Sequence, residues 1–292
     1  NGFFCWGLYY MLTNPKYGNV EKALDVWRDY MVSMGFGYKL GIDIPGEKRG
    51  MIPNSAFYDN AFGKWNALSV ISISIGQGEV NLTPLQIANL GATIANRGYY
   101  ITPHVVSTVG GKPLPAKFHQ RHYTKGSRAA YQWVIEGMKA SVAGGTSHGA
   151  VHPGYQLAGK TGTAQNRGRD HSVFMGFAPV DTPKIAICVY VENGGFGAVY
   201  GVPIGSLMIE QYVNGKLTRN DSIMAVTMQH RHIDYGFDRP MTHADSLRVD
   251  SIKRVMAVKD SIRKAEEDKL AKERAAADEQ KAKEEQKKKE EK

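Results

Sequence analysis

Leu157-Ala158-Gly159-Lys160-Thr161-Gly162-Thr163-Ala164-Gln165 sets one lysine among small residues and then alternates hydroxyls with glycines. An apolar core has no use for that arrangement. A strand lining a reaction cleft does, because glycine lets a second backbone or a substrate come close. Strand alternation sends Lys160 and Gly162 to one face and Thr161 and Thr163 to the other. A twist or bulge at the glycines can still bring a threonine hydroxyl to the lysine's edge. Lys-Thr-Gly alone is a common triplet, so its meaning depends on what surrounds it.

Working outward, three short-linked strands are expected over Tyr155–Gln165, Ser172–Phe177 and Lys184–Glu192. Short links make neighbours pair antiparallel. A helix around Ile204–Val213 follows, with Gly215 as its stop. Before the strands, Ser127–Val142 reads as an amphipathic helix with Tyr131, Val134, Ile135, Met138 and Val142 on one face. The best-punctuated helix starts at Thr83. Thr83 is the N-cap, Pro84 the first helical residue and Gln86 the third, a capping box, and Gly98 stops the helix. Asn19 caps another helix that presents Val20, Ala23, Leu24, Trp27, Met31 and Met34 on one side. Gly2–Leu12 is apolar throughout and is expected as a buried helix. Ser69–Ile75 alternates Ser and Ile, the pattern of a short strand or turn. The fold class is therefore α/β (α+β), an antiparallel sheet flanked by helices.

The 292 residues exceed one ordinary domain, but the last forty or so are mostly charge, which leaves a domain of roughly 200–250 residues. Three segments are expected: 1–218 as the folded domain, 219–250 as a polar linker, and 251–292 as a charged helical or disordered tail. The balance of 37 basic and 28 acidic residues gives +9, a mild bias toward anionic partners. No finger spacing and no basic run interleaved with aromatics points to nucleic acid. Cys5 and Cys188 form no disulfide framework and read as two buried thiols. No apolar run reaches the length of a membrane span. The chain begins with Asn1 rather than Met and reads as a piece of a longer protein.

Several motifs carry less than they promise. Gly145-Thr146-Ser147-His148-Gly149 fits G-x-S-x-G, but a nucleophile elbow needs a strand before it and a helix after it. Here a helix precedes and His152-Pro153 follows. Ser261-Ile262-Arg263-Lys264 is the only S-x-x-K, and it lies in the charged tail where nothing lowers the lysine pKa. His119, His122, His148, His152, His171, His230 and His232 show no finger or zincin spacing, so no metal is expected. Gly35-Phe36-Gly37-Tyr38-Lys39-Leu40-Gly41 neither follows a strand nor opens a helix, and a dinucleotide reading fails. Asp43 and Glu47 read as loop carboxylates that hold local backbone amides.

Gly159–Gln165 is followed by His171-Ser172-Val173-Phe174-Met175-Gly176-Phe177-Ala178-Pro179. Upstream stand Gly76-Gln77-Gly78, Thr83-Pro84-Leu85-Gln86-Ile87-Ala88-Asn89 and Ile94-Ala95-Asn96-Arg97-Gly98. Together these resemble the transpeptidase domain of class B penicillin-binding proteins, over about Asn1 to Leu217. Phe36-Gly37, Ile44-Pro45-Gly46-Glu47-Lys48 and Met51-Ile52-Pro53-Asn54-Ser55 look more like the cell-elongation type than the division type.

The resemblance implies a penicillin-binding, β-lactamase-like fold, incomplete at its N-terminus. It also implies a serine D,D-transpeptidase that cross-links peptidoglycan stem peptides ending in D-Ala-D-Ala. No cofactor or metal is implied. By that resemblance Lys160 carries over as the strand lysine expected to hold positive charge near a relay serine. Thr161 is then expected to bind the terminal carboxylate, and Gly162 to let the donor peptide lie along the strand. The resemblance makes the backbone N–H of Thr163 an expected oxyanion-hole donor. Asn1 fits the third residue of the family's Ser-x-Asn triplet. The acylating Ser-x-x-Lys is expected upstream, the chain alone is expected to be inactive, and an exposed apolar face is expected on it. Implied partners are β-lactams, a lipid-linked glycan polymerase and rod-shape proteins, at a membrane with the domain on its outer, periplasmic side. A sensor that keeps the fold without the nucleophile and a β-lactamase-like serine hydrolase are the alternatives.

Overall fold

A computed structural model describes residues 1–233, together with Leu247, Asp250, Lys253, Arg254, Ala257, Ser261 and Lys264. The chain divides into two units, Asn1–Arg239 and Pro240–Lys292. Every element named below lies in the first. In order these are α1 (Gly2–Leu12), α2 (Val20–Ser33), α3 (Ser55–Phe62), a 3₁₀ turn (Ile71–Ile75), α4 (Pro84–Ala95), β1 (Tyr99–Ile101), β2 (Thr108–Val109), β3 (Lys112–Pro113), β4 (Arg121–Tyr123), α5 (Arg128–Gly144), β5 (Ala158–Ala164), β6 (His171–Ala178), β7 (Ile185–Val191), α6 (Gly201–Asn214) and α7 (Arg219–Gln229).

The central sheet is antiparallel in the order β5-β6-β7. Its register pairs Ala158 with Phe177, Lys160 with Met175 and Thr163 with Ser172. Strand alternation then sorts the side chains of β6. Met175 and Phe177 join Ile94, Tyr131, Ile135 and Met138 in a core beneath α4 and α5. Phe174 and Ala178 join Val189, Val202 and Ile209 beneath α6. This helix–sheet–helix layering is the antiparallel sheet flanked by helices that the patterning predicts.

Phe174 fixes the spacing on the α6 side. Its ring is fully buried. A Cβ at Gly159 would lie 2.6 Å from the ring, one at Gly176 2.8 Å and one at Gly205 2.5 Å. A Cβ at Gly201 would lie 3.0 Å from the Phe174 Cβ. Four glycines thus make room for one aromatic, and α6 sits close on the sheet because of them. The close approach that Gly159 permits is that of the Phe174 ring.

The local signals behave as their chemistry demands. Thr83 and Gln86 form the full capping box. The Asn19 side chain accepts from Lys22 N, the Ser127 side chain from Ala130 N, and Gly215 is left-handed at the end of α6. Gln86 does more than cap: it is 2% exposed, and its amide donates to the carbonyls of Gly35, Tyr38 and Arg49 at 3.3, 3.2 and 3.0 Å. It thereby holds the glycine-rich loop against α4. Glu47 accepts from the backbone N–H of Leu40, Gly41 and Ile42, and Asp43 from those of Val105 and Val106. Both carboxylates hold backbone amides, Glu47 those of its own loop and Asp43 those of a distant one.

Of the short strand or turn expected over Ser69–Ile75, the turn forms: Ile71–Ile75 is a 3₁₀ turn with Ile73 buried. Two expectations need correction. Helix α1 forms, but it is not buried all round. Leu8 and Leu12 are covered, while Phe3, Phe4, Trp6 and Tyr10 are 58–83% exposed. That surface meets the expectation of an exposed apolar face. The two cysteines are half-buried rather than enclosed, with the Cys188 thiol pushed up to about 11 by burial. Helix α7 occupies part of the stretch read as linker. Most of the tail from Ser251 lies outside the described residues; Ser261 and Lys264 are described, and both are exposed.

Candidate functional site

Strand β5 is an edge strand, paired with β6 on one side only among the described residues. Its open side can be worked out from two side-chain contacts. The Thr163 carbonyl accepts from Gln77 Nε2 at 3.1 Å, and the Thr161 carbonyl accepts from Lys160 Nζ. Both carbonyls therefore point away from β6. In an antiparallel ladder the N–H and C=O of one residue leave the strand on the same side. The N–H groups of Thr161 and Thr163 face the open edge as well, while Lys160, Gly162 and Ala164 bond into the sheet.

Lys160 lies on the α4/α5 face, across from Met175. It is exposed and has no ion-pair partner among the described residues, its ammonium folding back onto its own strand. Neighbouring protein displaces water from one side of it and pulls its pKa below the ordinary lysine value. The strand thus presents a cation in search of an anion. Gly162 shares this face, and a Cβ there would come 3.2 Å from the Val173 Cβ.

Thr161 and Thr163 lie on the α6 face. The Thr161 hydroxyl is 2.6 Å from the Thr146 hydroxyl, which puts the Gly145–Gly149 loop beside the strand. That loop is no nucleophile elbow. Ser147 is fully buried, and its oxygen is 3.0 Å from the Ser141 hydroxyl. On the same face the segment after β7 closes in. Ser172 accepts from Gly201 N at 3.0 Å and donates to the Phe196 carbonyl at 2.9 Å. A Cβ at Gly197 would strike the Val173 and Gly162 carbonyls at 2.5 and 2.7 Å. Only glycine fits there, and Phe196 is left 71% exposed at the rim.

Four of the five expected site residues, Lys160, Thr161, Gly162 and Thr163, therefore share one open-edged strand. Asn1 stands elsewhere, at the start of α1, exposed and with no side-chain cap bond. A path does join the two. Helix α1 packs on the 3₁₀ turn, where the Ser74 hydroxyl lies 3.4 Å from the Cys5 sulfur, and that turn runs into Gly76-Gln77-Gly78. Gln77 and Thr146 are the site-side residues that sequence reasoning missed. The paired glycines around Gln77 were a usable signal, since Gly76 and Gly78 both have positive φ and aim the glutamine. Nothing local marks Thr146.

A family profile described as "Penicillin binding protein transpeptidase domain" matches residues 14–206. The peptidoglycan D,D-transpeptidase MrdA of Acinetobacter baumannii is 37% identical over 213 residues, 66% of this chain and 31% of the relative. Among solved structures, Pseudomonas aeruginosa PBP2 in complex with WCK 5153 superposes with a TM-score of 0.60 at 32% identity, over 70% of this chain and 46% of that one. The Helicobacter pylori complex of PBP2 with MreC gives 0.58 at 28% identity, over 74% and 38%. The chain spans about a third of the length of the curated relatives it matches.

Proposed function

The chain belongs to the penicillin-binding protein transpeptidase family, related to the MrdA and PBP2 proteins, and from that premise we propose that it carries the substrate-holding wall of a peptidoglycan D,D-transpeptidase of the elongation type. The observation that carries the reading is the open edge of β5, with Lys160 free of an ion-pair partner among the described residues and the outward N–H groups of Thr161 and Thr163. A stem peptide adds to that edge as a further strand, its backbone pairing with β5. The Lys160 ammonium stabilises the peptide's carboxylate and the deprotonated relay serine. The Thr161 hydroxyl, held by Thr146, binds the same carboxylate. The Thr163 N–H donates to the scissile carbonyl oxygen as charge builds on it, a contribution of 10²–10³ in rate where single oxyanion donors have been removed.

The reaction needs a nucleophile that these residues do not supply. The sole Ser-x-x-Lys is exposed in the second unit, and its Ser261 hydroxyl donates to Ala257 O. We assign the acylating serine to sequence preceding Asn1, with Asn1 completing the Ser-x-Asn triplet. Residues 1–218 are then the later part of the transpeptidase domain, 219–250 a connector and 251–292 a charged tail. The intact protein works at the cytoplasmic membrane on its outer face; no helix among the described residues is long and apolar enough to cross it. β-Lactams acylate the same serine, and a glycan polymerase and rod-shape proteins are its partners, a reading supported by the H. pylori relative solved together with MreC. A fluorescent penicillin tests this. The intact protein forms a covalent, stoichiometric adduct and the 292-residue chain forms none. An adduct on the chain itself overturns the assignment of the nucleophile, and none on the intact protein favours a non-catalytic sensor.

A further inference from the structure

Away from β5, three side chains from three elements converge. His152 follows the 3₁₀ turn His148–Ala150, Glu210 lies on α6, and Asp221 sits in the first turn of α7. One ligand atom from each lies within 4.8 Å of the other two. His152 Nε2 is 3.3 Å from Glu210 Oε1, and the two side chains are 9% and 2% exposed. The carboxylates are oriented from behind: Thr218 N donates to Glu210 Oε1 at 3.0 Å, and the Thr218 hydroxyl lies 2.6 Å from Asp221 Oδ2. The Tyr155 ring stacks on His152 at 4.1 Å, and its buried hydroxyl has no hydrogen-bond partner. That hydroxyl lies in the field of both carboxylates.

The charges do not balance. Neither carboxylate has a Lys or Arg partner among the described residues. Gly154 N donates to His152 Nδ1 at 3.0 Å, which leaves the ring proton to Nε2, the nitrogen that faces Glu210. A buried carboxylate with a second one beside it and no Lys or Arg to balance them is costly. One dication neutralises both. We propose that His152, Glu210 and Asp221 form a binding site for a divalent metal ion of the zinc class, which ties the segment leading into β5 to α6 and α7.

One nitrogen and two carboxylate oxygens suit zinc, with a water or the Tyr155 hydroxyl in the fourth position. Around a tetrahedral ion with bonds of about 2.0–2.1 Å the ligand atoms lie about 3.3 Å apart; His152 and Glu210 already have that separation, and Asp221 moves in toward them as the ion enters. Binding takes the Nε2 lone pair, so the ring proton moves to Nδ1 and the Gly154 contact gives way. That contact is solvent-exposed, and water replaces it. The site is structural: no group in it reaches β5. Glu210 and Asp221 fall beyond the residues that the family profile matches, and His152 and Glu210 are 58 positions apart. Spacing along the chain, which gave no reason to expect a metal, could not show it.

The test is zinc chloride titrated by calorimetry into the chelator-treated 292-residue chain, with cobalt(II) as a spectroscopic substitute. The expected result is one ion per chain, a cobalt spectrum of nitrogen and oxygen ligands, and a movement of the His152 proton from Nε2 to Nδ1 by NMR. At a hundredfold excess over Kd the melting temperature rises by about 5–10 °C. Asp221→Asn, at a half-buried position that leaves the His152–Glu210 pair intact, and His152→Gln each weaken binding at least about tenfold. Absence of stoichiometric binding overturns the proposal. So does binding that both variants leave unchanged, or a cobalt–thiolate absorption, which would place the ion on Cys5 or Cys188.

Discussion

Two helical glycines separate packing from propensity. Gly205 on α6 and Gly137 on α5 both have ordinary helical backbones, and alanine at either position gains about 1 kcal/mol of helix propensity. Their surroundings differ. Gly137 has no atom within 4 Å of an added Cβ, whereas at Gly205 that Cβ would lie 2.5 Å from Phe174 Cδ1 and 2.8 Å from Cε1. The ring cannot swing clear, since its far side already touches the backbone at Gly159 and Gly176. Either the ring leaves its rotamer or α6 moves off the sheet, and overpacking of this kind costs about 1–3 kcal/mol. Gly137→Ala is therefore stabilising by up to about 1 kcal/mol, and Gly205→Ala is neutral to destabilising by about 2 kcal/mol. Propensity cancels in the comparison, so the two midpoints of urea unfolding differ by the packing cost alone. Adding Phe174→Leu to Gly205→Ala recovers part of the loss, because the two changes share one space. Equal stabilisation by both alanines would refute the account of how α6 seats on the sheet.

Three further outcomes follow from the contacts described. Gln86→Leu leaves the carbonyls of Gly35, Tyr38 and Arg49 without their donor; it lowers stability by at least about 2 kcal/mol in denaturant unfolding, and no measurable loss would show that water substitutes freely. Gln77→Ala frees the Thr163 carbonyl, costs about 1 kcal/mol of stability, and slows penicillin acylation of the intact protein more than it weakens the initial encounter; an effect on encounter alone would argue against a positioning role. Because Lys160 must be protonated to attract a carboxylate and its pKa is depressed, the acylation rate falls on the alkaline side at a pH below the ordinary lysine value. Lys160→Arg moves that limb upward, and an unmoved limb would assign the titration to another group.

What could be read from the sequence was what short-range chemistry determines. The Thr83–Gln86 box needs four consecutive residues and a helix, and it forms. The strand run from β5 to β7 follows from alternation and short links, and even the face assignment of Lys160 against Thr161 holds in the register. The misses lie where distant residues decide. Apolar composition makes α1 a helix but does not say which flank meets protein, and only Leu8 and Leu12 do. Gly159 was legible as a place of close approach, but the approaching group is Phe174 from the next strand. Strand β1 pairs with β4 across a hairpin and a 3₁₀ turn, and three-residue segments carry too little periodicity to announce themselves. Thr146 reaches Thr161 through the turns between α5 and β5, and Gln77 reaches Thr163 from 86 residues away. No spacing rule contains either contact.

The central claim is that the open edge of β5, with Lys160 at its head, forms one wall of an acyl-transfer site. Its most direct measurement is the second-order rate of covalent labelling of the intact protein by a fluorescent penicillin, wild type against Lys160→Ala, with folding of both checked by circular dichroism. The account predicts a fall of about 10²–10³, the scale for removing one preorganised electrostatic group from such a site, with the melting temperature little changed because the side chain is exposed. Labelling at the wild-type rate by a folded Lys160→Ala protein would contradict it.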